Sequence, residues 1–381
     1  MNVPKLRFKE FTDEWSYQSL SKYVNRITTK NKNNESNLVL TISAQYGLVD
    51  QTNFFNRSVS SSNLTGYYLL NNGDFAYNKS YSNGYPWGAV KRLNKYNQGV
   101  VSSLYICFKP NNLINSDFLE QYFETNKWYQ QISEVSVEGA RNHGLLNIAV
   151  NDFFNTKHYM PSIKEQEKIS NFLSLLDKKI ELQSKKIEDL KLFKKGLILS
   201  LKKNSFDWHT VCIKDLFKIT RGVVIPKNEL SEFKNGEYKY PVYSSQTSNE
   251  GILGYSNTFD FNGKYLTWTT DGANAGKVFY RNGKFRCTNV CGVLYEDNII
   301  FTNELFAELL NYETPKHVSY VGNPKLMNNV MADIKIKIPS GDVQENTSLI
   351  INTINNKVNL EKKKLLKFKE LKKGLMQNMF V

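Results

Sequence analysis

A chain of 381 residues with 40% apolar and 13% aromatic side chains can bury more than one core, which excludes a disordered protein and leaves room for two or three domains. No apolar run reaches the roughly 18 residues of a membrane span, and four scattered cysteines (Cys107, Cys212, Cys287, Cys291) without a CxxC pair exclude a disulfide framework or a zinc site as expectations. A formal charge of +14 favours a polyanionic partner, nucleic acid ahead of a membrane surface.

In chain order, the opening MNVPKLRFKEFTDEW has no apolar h-region, so no secretory signal is expected and a reducing cytoplasm is the expected location. Trp15 begins WSYQSLSKYV, after which strand-like runs (NLVLTIS, YYLLNNGDFAYNKS, GVVSSLYICFKP) alternate with Gly/Asn turns. A short helix is predicted at NSDFLEQYFETNKWYQQI. From Pro161, PSIKEQEKISNFLSLLDKKIELQSKKIEDLKLFKKGL reads as one long helix entered at a proline. Trp208 then reopens the first pattern with WHTVCIKDLF, followed by strand-like GEYKYPVYSS, GKYLTWTT, GKVFYRNGKFRC and NVCGVLYE and a helical TNELFAELLNY. A second long helix, PSGDVQENTSLIINTINNKVNLEKKKLLKFKELKKGL, starts at Pro339.

The two long helices are copies. Of the 38 positions from Met160 to Leu197, 14 carry the same residue 178 positions later, which is an internal duplication. Their apolar residues fall on a 4-3 seam: Ile169, Leu173, Leu176, Ile180, Ile187 and Leu190 in the first copy, and Ile351, Ile354, Val358, Leu365, Phe368 and Leu375 in the second. Gln183 and Lys194 interrupt the first seam, and Glu361 and Lys372 interrupt the second at the same places. Such stripes need a partner surface, and the simplest is each other, as an antiparallel coiled coil about 55 Å long at ~1.5 Å per residue. The rivals are packing of each helix on its own globular part, or an intermolecular seam. The tryptophan-led patterns repeat at an offset of 193, so the globular parts form a second, fainter repeat. The expected division is 1–160, 161–204, 205–338 and 339–381: an α+β domain, a helix, a second α+β domain and a second helix.

No catalytic set is present. GANAGKV at Gly272 lacks the spacing of a phosphate loop and has Val278 where a metal-binding hydroxyl belongs, so it reads as a turn between strands. His143, His158, His209 and His317 stand apart from one another. Polar, basic and aromatic residues mix on two stretches read as loops, Tyr77 to Arg92 and Thr267 to Arg286, the composition that meets base edges and phosphates. The candidate DNA contacts are Tyr77, Asn78, Lys79, Tyr81, Lys91 and Arg92 in the first domain, and Ser245, Gln246, Thr269, Thr270, Lys277 and Arg281 in the second. The helix lysines read mainly as the wet face of the coiled coil and a docking surface.

With Pro-Ser followed by Gln166-Glu167, a helix ending Lys-Lys-Gly-Leu, and the whole unit duplicated, the chain resembles the specificity (S) subunit of Type I restriction–modification enzymes over nearly its full length. MPSIKEQEKISNFLSLLDKKI is the most specific part, and the second copy departs from it with Gly341-Asp342-Val343 in place of Ile163-Lys164-Glu165. The resemblance implies two α/β target-recognition domains separated by two long conserved helices, with a pseudo-two-fold internal repeat. Each domain would read one half of a bipartite, asymmetric site in double-stranded DNA, and the helices would set the spacer. The implied partners are two methylation (M) subunits, which carry S-adenosylmethionine, and two restriction (R) subunits, which carry ATP and Mg. The chain itself would hold no cofactor, metal or active site, and would meet no membrane. The rival functions are a stand-alone DNA-modifying enzyme and a non-DNA adaptor with two binding modules on a coiled coil.

Overall fold

The computed structural model describes residues 2–55, 63–136, 146–203, 208–246, 248–339 and 341–381. His143 lies outside the described residues. The chain divides into two compact units, Met1–Gln183 with Lys364–Val381, and Ser184–Lys363. The units cut across the two long helices and not at their ends, so each holds a globular part and a segment of both helices.

In the first unit, β1 (Ser16–Ser19) pairs antiparallel with β10 (Lys157–Met160), Ser16 opposite Met160, just before the long helix α5 (Ile163–Lys203) begins. Between these strands lie β2 (Val24–Arg26), β3 (Leu40–Ser43), β4 (Gly47–Asp50), α1 (Gln51–Phe55), β5 (Tyr68–Asn71), β6 (Phe75–Asn78), β7 (Ala89–Arg92), β8 (Gln98–Val101) and β9 (Ile106–Pro110). They are followed by α2 (Ser116–Phe123), α3 (Tyr129–Val135) and α4 (Val150–Asn155). The main sheet runs β2-β9-β6-β7, all antiparallel, with β3-β4 and β5-β8 as separate pairs. Both faces of this sheet are packed. Phe75, Tyr77, Val90 and Phe108 enter an aromatic core with Phe118, Trp128 and Phe153, while Ala76, Ala89 and Cys107 face a second core with Leu40 and Leu70.

Asn115 caps α2 by accepting from the Phe118 N–H, the role that short polar side chains favour at a helix start. The first core also takes in Ile169 and Leu173 of α5 and Met376, Met379 and Phe380 at the end of the other long helix, α9 (Gly341–Met379). A strap before β1 ties both helices down: the Leu6 N–H donates to the Asn378 carbonyl, and Arg7 bonds Glu165 at 2.7 Å. Buried His158 accepts at Nδ1 from Tyr122 and donates from Nε2 to Thr156, whose own hydroxyl donates to Phe153.

In the second unit, β11 (His209–Cys212) pairs antiparallel with β18 (Lys335–Ile338), His209 opposite Ile338, just before α9. Then come α6 (Ile213–Leu216), β12 (Lys218–Arg221), β13 (Tyr240–Tyr243), β14 (Ile252–Ser256), β15 (Phe261–Thr269), β16 (Val278–Cys287) and β17 (Cys291–Tyr295), with α7 (Glu304–Glu313) and α8 (Asn328–Asp333) before β18. The sheet runs β12-β17-β15-β16-β13-β14, and β13 joins β16 in parallel. Leu266, Trp268 and Val278 pack on one face, and Phe285, Cys287 and Val293 on the other. Gly292 lies against Trp268, where an added Cβ would stand 2.2 Å from the indole. GANAGKV is the turn from β15 to β16, with Gly272 and Gly276 both at positive φ.

Along the helices, Ile169, Leu173, Ile187, Ile351, Ile354 and Val358 are buried, and Leu176, Ile180, Leu190, Leu365, Phe368 and Leu375 are half-buried. Within the first unit, Lys372 meets Asp177 and Lys179 lies over the Phe368 ring. Within the second, Lys186 meets Glu361, Lys194 meets Asn355, and Ile198 packs with Ile351. In each unit residue numbers rise along one helix as they fall along the other, so the two segments run antiparallel. The seam interruptions Lys194, Lys372 and Glu361 are thus paired polar positions.

Candidate nucleic-acid interface

Among the described residues, each unit holds an open, cation-lined cleft between its globular part and its helix segments. The first, of about 1010 Å³, gathers Lys91 and Arg92 from the end of β7, Lys95 just after it, and Lys369, Lys372 and Lys373 from α9. Tyr46, Tyr85 and Tyr129 add aromatic wall, and Glu120, Glu124 and Asp177 supply the acids. The second, of about 1110 Å³, gathers Lys191, Lys194 and Lys195 from α5, Lys362 and Lys363 from α9, and Lys277 and Arg281 beside or on β16. Phe279, Tyr280 and Tyr312 line it, with Glu250, Glu304 and Glu308 as acids. In both clefts basic residues outnumber acidic ones, so each wall is net positive. Width, openness and mixed lysine and tyrosine walls suit a polyanionic backbone better than a small enclosed ligand.

The residues singled out from sequence divide sharply. Lys91, Arg92, Lys277 and Arg281 are brought to the clefts. Lys91 is buried with its ammonium 2.5 Å from Glu124 and over the Tyr85 ring, and Arg92 forks to Asp117 and Glu120, both at 2.6 Å. Burial lowers the Lys277 pKa, the response of a cation shielded from water. Arg281 is buried between the Tyr243 and Phe279 rings, its carbon 3.6 and 4.4 Å from their centres, and donates to the Glu250 carbonyl at 2.7 Å. Burial lowers its pKa as well.

Several others correct the loop assignment. Tyr77 stands on β6 opposite Val90, inside the core, stacked on Phe153, with its hydroxyl donating to the Trp87 carbonyl. Burial raises its pKa. Thr269 and Thr270 are buried at the end of β15: Thr269 bonds the backbone of the following turn, at Asn274 and Lys277, and Thr270 bonds Asp271. The stretches around residues 77–92 and 267–286 are hairpins of sheets packed on both faces, so consecutive strand residues there, aromatic or hydroxyl, can be core. Asn78 accepts from the Ser80 N–H, Lys79 donates to the Ile148 carbonyl, and Gln246 donates to the Ile252 carbonyl. Ser245 is half-buried and Tyr81 is exposed.

The residues missed are the cleft-facing helix lysines. Their signal was the runs at 194–195, 362–364 and 372–373, read as solvated faces because heptad position alone does not say which wet face meets a groove. Among the described residues no group of His, Cys, Asp or Glu is arranged to hold a metal ion. No described helix is long and apolar enough to cross a membrane.

Comparison with known proteins fits this geometry. A family model described as the Type I restriction modification DNA specificity domain matches residues 206–370. A Mycoplasma pneumoniae protein described as the N-terminus of a type I specificity subunit is 44% identical over 145 residues, covering 38% of this chain and 76% of that protein. A second specificity subunit of that organism is 36% identical over 196 residues, covering 50% and 79%. The crystal structure of a Type I restriction–modification S subunit from M. genitalium shares the fold across 100% of this chain and 99% of its own, at a TM-score of 0.63 and 16% identity. The chain belongs to the Type I restriction–modification specificity (S) subunit family.

Proposed function

We propose that this chain is the DNA-reading subunit of a Type I complex, in which each unit reads one half of a split, asymmetric duplex site. The observation that carries the reading is the pair of cationic clefts, one in each unit, walled by helix lysines on one side and by strand-end cations on the other. Lysines in such a groove bind phosphate without regard to sequence and set the register on the duplex, leaving exposed polar side chains of the globular part to meet base edges. Helix α5, 41 residues long, and α9, 39 residues long, act as the spacer between the half-sites.

Methylation subunits dock on the outer faces of these helices. Exposed apolar residues recur there at equivalent places, Phe172 and Ile350, Leu182 and Leu360, Phe193 and Leu371, which is the surface a partner helix covers. The chain contributes no active site: methyl transfer from S-adenosylmethionine to adenine belongs to the methylation subunits, and ATP-driven cleavage to the restriction subunits. Co-expression with the methylation subunits, followed by mapping of methylated adenines across a genome, should return one bipartite motif with a fixed gap. Absence of sequence-selective, salt-sensitive duplex binding by that complex would exclude the reading.

A further inference from the structure

Among the polar contacts between each globular part and its helix segments, two fall at equivalent helix positions in the two units. The first is made by a glutamine at the same place in the first turns of each long helix, accepting in the first unit and donating in the second. Gln166 accepts from the Asn115 N–H at the cap of α2, and Gln344, 178 residues on, donates to the Ile300 carbonyl just ahead of α7. Three turns further along each helix lies the second contact. In the first unit Asp177 accepts from the Gln121 amide of α2 at 2.9 Å and from Lys372 at 2.6 Å. In the second unit the equivalent of Asp177 is Asn355, whose amide donates to Glu304 of α7 at 2.6 Å, while Lys194 bonds both Asn355 at 2.8 Å and Glu308 at 2.5 Å. Lys372 and Lys194 are themselves equivalent in the duplication.

The polarity is therefore reversed. At the first seat the helices present a carboxylate and the globular part donates. At the second the helices present donors and the globular part supplies two carboxylates. We infer that Asp177 and Asn355 are positioning residues that decide which globular module each seat accepts, a reading that rests on the two units being separate reading modules. An acidic α7 set against Asp177 would bring carboxylates together around one lysine, a repulsion that the half-buried setting screens only in part. Gln121 is only 7% exposed and its Oε1 has no hydrogen-bond partner among the described residues, so a charged oxygen placed there would be unmatched as well.

The test is a pair of compensation cycles in the full chain. Gln121→Glu places the second module's chemistry on the first seat and should lower the thermal midpoint of the first unit by about 4 °C or more. Adding Asp177→Asn should recover at least half of that loss, because the amide then donates and Lys372 pairs with the new carboxylate. In mirror image, Asn355→Asp should destabilise the second unit and Glu304→Gln should rescue it. Strictly additive losses in both cycles, or a silent Gln121→Glu, would overturn the inference. Melting requires neither DNA nor a partner, so its outcome is independent of the DNA-reading proposal. In the complex with methylation subunits, Gln121→Glu should loosen sequence discrimination in one half of the motif, with recovery in the compensated pair. Loosening in both halves would also overturn it.

Discussion

The two units share the order of a four-stranded sheet and differ in the strands added to it. In the first, β2-β9-β6-β7 stands as a sheet with two extra strand pairs beside it; in the second, β12-β17-β15-β16 has the same order but is widened by β13 and β14 on its edge. Each is closed by a strand pair directly ahead of a long helix, and each caps its principal globular helix with an asparagine, Asn115 or Asn303. The lesson is where divergence is tolerated. The four strands of the main sheet keep their order, while added strands accumulate on its free edge or in the connections between the shared ones.

The most drastic way to break this comparison is to replace residues 15–155 with the equivalent module of another S subunit. One half of the methylated motif should change and the other should persist; a change in both would contradict modularity. A heptad inserted after Ile180, matched by one after Lys364, should lengthen the gap in the motif and keep both halves, and loss of both halves would argue against the spacer role. Removing a central aromatic sharpens the comparison by unit: Phe108→Ala and Trp268→Ala should each cost about 3–5 kcal/mol, read by calorimetry as a lower midpoint for the first or the second unit alone.

Acid should then separate the units further. Burial pushes the His158 pKa down to about 3 from 6.5, so below pH 6.5 the unfolded chain takes up a proton that the folded one refuses. Stability is therefore full above that value and falls as pH drops toward about 3, by up to about 1.4 kcal/mol for each pH step of one. Chemical denaturation from pH 7 to 4 should show this slope in the first unit, and His158→Gln should remove it. The smallest effect is electrostatic: Lys373→Ala or Lys363→Ala should reduce the log-log salt slope of DNA binding by about 1 without altering the motif.

The long helices were legible because their seam repeats every 3.5 residues over many turns, and a duplicated seam is hard to produce by chance. The interruptions at Lys194 and Lys372 were visible but not their partners, since Asp177 and Asn355 lie on the opposite helix and Gln121, Glu304 and Glu308 come from the globular parts. The clefts were not legible for the same reason, as each draws lysines and tyrosines from segments far apart in the chain. Tyr77, Thr269 and Thr270 misled because both faces of each sheet are packed. An antiparallel strand with one wet face alternates polar and apolar residues, whereas Phe75-Ala76-Tyr77 turns every side chain toward a core and leaves no such pattern.

That double-sided packing has a consequence for how such a protein acquires novelty. In a sheet with cores above and below, every strand position faces one packed layer or the other, so the strands are poor ground for variation. The connections, which carry the exposed Tyr81 and the half-buried Ser245, are freer to vary. In the reading proposed here, a lineage can explore new recognition by rewriting a few turns or by importing a whole module, with the seats on α5 and α9 left as they are.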